Sequence, residues 1–196
     1  KVLVIGAGGL GCPVLQYLTA AGVGLIGIVD DDKVEVSNLQ RQIIFRTDDI
    51  GKYKAKAAAE AMAQLNPFAE FVVYEERLTA ENALSIFKNY DIIVDGTDNF
   101  ETRYLINDVC IVLNKPFVFG SIFKFDGQVS VFNYQEGPTY RCLFPEPPRE
   151  MPTCSQVGVM GVLPGIIGSY QANEVLKIIL GIGNVLKGRL LTIDIL

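Results

Sequence analysis

The sequence predicts a doubly wound α/β fold, in which a mostly parallel sheet lies between two layers of helices (α/β/α). Three observations support this prediction. Short apolar runs rich in β-branched residues alternate with helical patterns along the chain. The first run is followed by a glycine-rich loop and a helix, and the length of 196 residues suits one domain. We therefore expect residues 1–196 to form a single Rossmann-like domain.

The first three elements form a βαβ unit. Lys1–Ile5 is a β-branched run that ends in glycines, which predicts a buried strand. Gly9–Ala21 carries apolar residues at helical spacing and is followed by Gly22 and Gly24. Leu25–Asp30 is a second apolar run, and it ends in an acid. Such units almost always have parallel strands and a right-handed crossover.

The alternation continues along the chain. It predicts further helices over Tyr53–Leu65, Ala80–Lys88, Asn99–Leu113 and within Gly161–Ile179, and further strands over Glu70–Tyr74, Asp91–Val94, Pro116–Gly120, Gln128–Asn133 and Arg189–Ile193. The strand at Gln128–Asn133 alternates in polarity, which is typical of an antiparallel addition to a parallel sheet. Residues 134–157 are proline-rich and predict a long crossover loop, a kind of segment that is usually functional or mobile.

Composition excludes several kinds of function. The net charge of −5 argues against nucleic acid as the main partner. The chain has no histidine, so a Ser-His hydrolase triad and a His-ligated metal are excluded. No apolar run approaches the roughly 20 residues of a membrane span. We also expect no signal peptide, because the sequence starts inside an apolar run without a basic leader. Four cysteines suggest reduced thiols, so we expect a cytoplasmic protein without disulfides.

The loop after the first strand predicts a nucleotide site. Gly6, Gly8 and Gly11 match the G-x-G-x-x-G pattern between a strand and a helix, so the backbone can approach phosphate closely. The helix N-terminus favours an anion there. Asp30 ends the second strand, where a carboxylate commonly accepts hydrogen bonds from a ribose. These residues suit NAD and ATP equally.

Charged residues outside the loop favour ATP. A third phosphate calls for additional cations and usually Mg²⁺. Arg41 lies in a polar excursion after Asp30, and Lys54 lies in the first turn of the next helix. Asp98 follows a central strand and is placed to hold Mg²⁺ or to steer the attacking group. The alternatives are a solvated Arg41, an exposed Lys54 on a lysine-rich helix face, and Asp98 as a helix N-cap.

Several longer motifs, in order, resemble the ThiF/MoeB/HesA proteins, which are relatives of ubiquitin-activating enzymes. The resemblance covers essentially the whole chain. It rests on the segments Gly6-Ala7-Gly8-Gly9-Leu10-Gly11-Cys12, Ser37-Asn38-Leu39-Gln40-Arg41-Gln42, Gly51-Lys52-Tyr53-Lys54, Asp95-Gly96-Thr97-Asp98-Asn99, Tyr140-Arg141-Cys142 and Thr153-Cys154-Ser155-Gln156-Val157-Gly158-Val159-Met160.

The resemblance implies an ATP-dependent adenylyltransferase. Such enzymes adenylate the C-terminal glycine carboxylate of a ubiquitin-like sulfur-carrier protein, for thiamin or molybdopterin synthesis, and release pyrophosphate. A homodimer is also implied. The residues that the resemblance implies to contact ATP or its magnesium are Gly9, Asp30, Ser37, Asn38, Arg41, Lys54, Asp98 and Asn99. The predicted nucleotide site also includes Asp32 and the loop glycines Gly6, Gly8 and Gly11.

Two cysteines bear on how this chain relates to that family. By resemblance, Cys154 can form an acyl-disulfide or thioester link to the carrier, and it joins Arg41, Lys54 and Asp98 as a catalytic candidate. The alternative is a structural or incidental loop thiol. Many relatives have a Cys-x-x-Cys pair where this chain has only Cys142, so we expect no zinc site. Relatives also carry an N-terminal helical segment, so we expect the chain to be truncated at both ends.

Three alternatives remain open at this point. One is a tRNA-modifying, ATP-dependent dehydratase of the same family. The second is an NAD-dependent oxidoreductase, and the third is a non-catalytic partner of a heterodimer.

Overall fold

A computed structural model describes residues 1–147 and 158–196 of the protein. Seven strands form one sheet: β1 Val2–Ile5, β2 Leu25–Val29, β3 Glu70–Tyr74, β4 Ile92–Asp95, β5 Phe117–Phe123, β6 Asp126–Phe132 and β7 Leu191–Asp194. The described residues also form six α-helices: α1 Gly11–Ala20, α2 Lys54–Leu65, α3 Ala80–Phe87, α4 Phe100–Val112, α5 Tyr140–Leu143 and α6 Val162–Leu180. None of these helices is long and apolar enough to cross a bilayer.

The strand order across the sheet is β3-β2-β1-β4-β5-β6-β7. Strands β1 to β5 pair in parallel, whereas β6 pairs antiparallel with both β5 and β7. The chain runs outward from β1 in one direction to β3 and then returns to β4 on the other side. This reversal leaves a crevice at the carboxyl ends of β1 and β4, which is where open α/β sheets bind ligands. The predicted doubly wound fold with an antiparallel addition is confirmed.

The alternation of side chains in β1 explains the three layers. Val2 and Val4 face one apolar cluster, to which α1, α2 and α6 contribute buried residues. Leu3 and Ile5 face the opposite cluster, which α3 and α4 cover. Because β1 is buried on both faces, its sequence is a continuous apolar run.

Most predicted elements agree with the structure to within one or two residues, and the largest differences lie in two places. Strand β5 runs to Phe123, three residues beyond the predicted end at Gly120, because it continues into a tight hairpin with β6. Lys124 makes this turn with a φ of 54°. The segment at 134–157, predicted as a loop throughout, contains the single-turn helix α5. There the backbone N–H of Tyr140 donates to Asn107 Oδ1 and the Tyr140 ring is buried, so tertiary contacts fix this turn.

Candidate functional site

A cavity of about 460 Å³ opens at the carboxyl edge of the parallel strands. Its walls come from the loops that follow β1, β2, β3 and β4, and from the end of β5. Parallel strands place these loops side by side, so residues distant in sequence meet here. Of the predicted site residues, those that line the cavity are Gly6, Gly8, Gly9, Asp30, Asp32, Arg41, Lys54, Asp98 and Asn99.

The glycines of the first loop have two different roles. A Cβ on Gly6 would lie 2.7 Å from the carbonyl oxygen of Gly96, and one on Gly11 would collide with the carbonyl oxygen of Gly6. Gly6 also has a φ of +91°, which favours glycine. By contrast, a Cβ on Gly8 would have only the Gln42 side-chain nitrogen nearby, at 3.8 Å. Gly6 and Gly11 therefore allow backbone packing, whereas Gly8 keeps space free in the cavity wall.

The same loop presents backbone donors. The N–H groups of Gly8, Gly9 and Leu10 have no hydrogen-bond partner within residues 1–147 and 158–196. They precede α1, whose N-terminus carries a partial positive charge. Free N–H groups at a helix N-terminus form a binding site for anions such as phosphate.

Asp30 is fixed beside this loop. Its carboxylate accepts hydrogen bonds from the backbone N–H of Ala7 at 2.7 Å and of Asp32 at 2.9 Å. Burial raises the pKa of Asp30, and the Ala7 hydrogen bond and the Lys54 charge oppose the rise. Each oxygen retains acceptor capacity, so the group is oriented to receive further donors such as sugar hydroxyls.

Lys54 is the first residue of α2, and its side chain is 8% exposed. Its ammonium lies 2.7 Å from an Asp32 carboxylate oxygen. Asp32 itself is 69% exposed at the side chain. The alternative that Lys54 lies on a solvated helix face is therefore wrong, because the chain after β2 folds over it and directs its ammonium into the cavity wall.

Arg41 follows a short 3₁₀ helix at Val36–Asn38. Its guanidinium donates to the Ser37 carbonyl oxygen at 3.0 Å, and its side chain lines the cavity. Ser37 and Asn38 are not among the cavity-lining residues. The buried Asn38 side chain accepts a hydrogen bond from the Glu35 N–H. The main-chain carbonyl oxygen of Asn38 accepts another from the Arg41 N–H. Ser37 and Asn38 thus shape the turn that holds Arg41.

Asp98 and Asn99 lie between β4 and α4. Asn99 is the N-cap of α4, since its side-chain oxygen accepts from the Thr102 N–H at 2.9 Å. The alternative that assigned this cap to Asp98 is therefore wrong. Asp98 is exposed and lines the cavity, and within the described ranges its carboxylate has no hydrogen-bond or ion-pair partner.

A buried ion pair beside the cavity was missed by the sequence analysis. Arg103 Nε donates to Asp95 Oδ2 at 2.7 Å. Burial is the largest single effect and disfavours the charged guanidinium, but Asp95 and Tyr140 together outweigh it, so the pKa of Arg103 is raised. The only signal in the sequence is an acid at the end of an apolar strand, and its partner lies eight residues further on.

The cysteines differ in exposure. Cys12 and Cys110 are buried, and burial raises both pKa values, that of Cys12 to about 12. Cys142 is exposed, and a hydrogen bond with Thr139 lowers its pKa. Cys154 lies outside the described residues.

Comparison with known proteins identifies close relatives. The chain is 54% identical to the sulfur carrier protein adenylyltransferase of Thermus thermophilus, over 100% of the chain and 75% of the relative. It is 50% identical to the probable adenylyltransferase/sulfurtransferase MoeZ of Mycobacterium tuberculosis, over 100% of the chain and 52% of that protein. It is also 50% identical to the adenylyltransferase and sulfurtransferase MOCS3 of Drosophila sechellia, over 99% of the chain and 43% of that protein. The chain thus spans about half the length of several relatives.

Solved structures share the fold. A crystal structure of E. coli MccB with ATP superposes with a TM-score of 0.85 at 22% identity, over 99% of this chain and 60% of that one. A structure of MccB with AMPCPP and MccA gives a TM-score of 0.86 at 21% identity, again over 99% and 60%. The sequence model of the ThiF family matches residues 1–196. With this match and relatives at about half identity, the chain belongs to the ThiF family.

Proposed function

We propose that this chain is the adenylating domain of an enzyme that uses ATP to activate the C-terminal carboxylate of a sulfur-carrier protein. The observation that carries this proposal is the convergence of an anion-binding loop, the cations of Arg41 and Lys54, and the carboxylates of Asp30 and Asp98 on one cavity in a ThiF-family chain. Two relatives are named sulfur carrier protein adenylyltransferase and, in Porphyra purpurea, probable molybdopterin-synthase adenylyltransferase. These names favour a sulfur-carrier protein, such as one of molybdopterin synthesis, over a tRNA substrate.

The donors of the cavity fit ATP. The free N–H groups of Gly8, Gly9 and Leu10 suit phosphate oxygens, and the Asp30 carboxylate suits ribose hydroxyls. Arg41 and Lys54 add positive charge for a third phosphate, which an NAD diphosphate lacks. Asn99 also lines the cavity. One solved structure of this fold contains MccB and ATP, which supports the same ligand class here.

Carboxylates at the cavity fit a magnesium ion carried with ATP. Asp98 has a carboxylate without a partner among the described residues, and oxygen is the ligand atom that Mg²⁺ prefers. Asp30, Asp31 and Asp32 form a second group, with oxygens within 4.8 Å of one another. Two of these three are already engaged, Asp30 with backbone N–H groups and Asp32 with Lys54. We therefore assign the metal to Asp98. A bound Mg²⁺ would neutralise phosphate charge.

The chemistry requires two anions to meet. The carrier carboxylate attacks the α-phosphorus, a carboxyl-oxygen-to-phosphorus bond forms, and the bond to pyrophosphate breaks. Arg41 and Lys54 offset the repulsion and stabilise the charge that develops on the phosphate oxygens. The attacking group is already ionised, so no general base is needed. A chain without histidine can therefore support this reaction.

The first prediction concerns turnover. The full-length protein should exchange labelled pyrophosphate into ATP only when a carrier is present. Asp98→Asn should slow this exchange by roughly 100-fold or more, because the variant lacks the carboxylate charge that we assign to holding Mg²⁺ in the transition state. Asp48→Asn is the control, since it removes an equally exposed acid that does not line the cavity. A folded wild-type protein that exchanges with neither a thiamin nor a molybdopterin carrier would contradict the proposal.

The second prediction separates the two kinds of glycine. Gly8→Ala should keep its free energy of unfolding within about 1 kcal/mol of wild type, because its Cβ would meet only the Gln42 side-chain nitrogen, at an ordinary contact distance of 3.8 Å. It should bind ATP about tenfold or more weakly, since the methyl group fills the cavity wall. Gly11→Ala should lose about 1–3 kcal/mol of stability through collision with Gly6. Urea unfolding and ATP titration test both, and equal behaviour of the two variants would refute the distinction.

The third prediction concerns Cys154. We propose that its thiolate attacks the carbonyl carbon of the acyl-adenylate, forming a thioester and releasing AMP. Intact mass measured after incubation with ATP and carrier should show a covalent adduct of enzyme and carrier. The adduct should disappear in Cys154→Ser and persist in Cys142→Ser, which removes the exposed thiol of the described residues. An adduct that survives in Cys154→Ser, or its absence from wild type, counts against this role.

The fourth prediction concerns a homodimer, the assembly that we propose. A groove of about 590 Å³ lies between α1 and α6, and its exposed apolar residues are Tyr17, Ile43, Val162 and Tyr170. Arg41 lines both this groove and the nucleotide cavity, so a second copy would cover the groove next to the site. In sedimentation experiments Val162→Glu should give monomers. Leu84→Glu, on α3 at the other face of the sheet, should remain dimeric. A monomeric wild type would refute this assembly.

A further inference from the structure

The turn between β4 and α4 is held on both sides of Asp98. Before it, the Thr97 N–H and hydroxyl both donate to Asp95 Oδ1, at 2.9 and 2.6 Å. After it, the Asn99 side chain caps α4. Asp98 is the residue between these fixed points, and its carboxylate is unpaired within the described ranges. The turn therefore fixes the backbone while leaving this one carboxylate free to face the cavity.

The buried side chain of Arg103 also holds this turn through hydrogen bonds. Its Nε donates to Asp95 Oδ2, and its Nη2 donates to the carbonyl oxygens of Thr97 at 3.1 Å and Gly120 at 3.3 Å. The side chains of Arg103 and Asp95 are 6% and 0% exposed. A third group, the Gln171 amide, donates to the Asp95 carbonyl oxygen at 2.7 Å. The guanidinium thus joins the end of β4, the turn and strand β5 in one rigid unit.

Such a pair is an expensive way to hold a fold together. Removing two charges from water costs so much that apolar residues of similar volume often stabilise a buried site equally well. The forked guanidinium does, however, fix direction, because its donors have one planar geometry. Its contacts end on Thr97, the neighbour of Asp98. The arrangement therefore matches a need for precise position more than a need for stability.

We propose that Arg103 and Asp95, acting through Thr97, position the Asp98 carboxylate for the metal-bound triphosphate. This inference rests on the role proposed above for Asp98. Arg103 is a positioning residue in this scheme, since its hydrogen bonds go to Asp95, Thr97 and Gly120. A carboxylate held in place before the substrate arrives loses no free energy to reorganisation during the reaction.

Thr97 offers the sharpest test, because its hydroxyl can be removed without touching the buried charges. Thr97→Val keeps the shape of the side chain and loses only the hydroxyl bond to Asp95. Thr97→Ser is the matched control, since it retains the hydroxyl. Arg103→Lys keeps a cation next to Asp95 but loses the fork that reaches Thr97 and Gly120.

The experiment uses the full-length protein with two readouts besides the rate. Calorimetric titration gives the ATP affinity with Mg²⁺ and with a chelator, and thermal unfolding gives Tm. In Thr97→Val and Arg103→Lys, we expect the Mg²⁺-dependent gain in ATP affinity and kcat for exchange each to fall about tenfold, the equivalent of one hydrogen bond to a charged group. The metal-free ATP affinity should stay within twofold of wild type, and Thr97→Ser should match wild type throughout.

Thr97→Val decides the question, and it does so even if Arg103→Lys fails to fold. A Thr97→Val protein with a normal Mg²⁺ effect and a normal rate overturns the proposal, whatever happens to Tm, because the contacts then serve only the fold. If Asp98→Asn also leaves the Mg²⁺ effect intact, the assignment of Asp98 fails instead. If Asp98→Asn lowers the rate and the Mg²⁺ effect but Thr97→Val changes neither, the positioning inference alone fails and the role of Asp98 stands.

Discussion

The architecture of the site depends on a close backbone contact between two glycines, one after β1 and one after β4. A Cβ on Gly6 would lie 2.7 Å from the Gly96 carbonyl oxygen, and one on Gly96 would lie 2.8 Å from that of Gly6. The Gly96 N–H also donates to the Ile5 carbonyl oxygen at 2.7 Å. Because these turns can touch, the crevice between β1 and β4 is narrow. It brings the free N–H groups of one loop close to the Asp98 turn.

The positive charges around this crevice are neutralised by neighbouring carboxylates to different degrees, and these differences suit different roles. Arg103 is paired with a fully buried acid, so its charge is neutralised in place and its geometry remains. Lys54 is paired with Asp32, whose side chain is largely exposed and free to yield to a better anion. Arg41 hydrogen-bonds a carbonyl oxygen and has no carboxylate partner among residues 1–147 and 158–196. Its charge is thus the most available for a phosphate.

Local patterns predicted the features that depend on local sequence. The apolar run of β1, the glycines before α1 and the acid at Asp30 were readable because each follows from backbone periodicity or from a turn. The pair of Asp95 and Arg103 was not readable, since it joins a strand end to the second turn of a helix. The burial of Lys54 was equally hidden, because it results from the fold of the excursion after β2 and not from the lysine-rich helix. For Ser37 and Asn38, the resemblance implied contact with ATP, whereas in the structure neither residue lines the cavity.

Helix α4 supports more than the Asp98 turn. The ring of Tyr140 packs 5.1 Å from Tyr104 of α4 and 4.9 Å from Phe144, measured between centroids. The Tyr104 hydroxyl donates to the Phe144 carbonyl oxygen at 2.8 Å. The chain therefore leaves α5, toward the segment that contains Cys154, from a point fixed on α4. Because the N-terminus of this helix also carries Asn99 and Arg103, one helix supports both the Asp98 turn and the described part of the proline-rich segment. A displacement of α4 would therefore disturb both together.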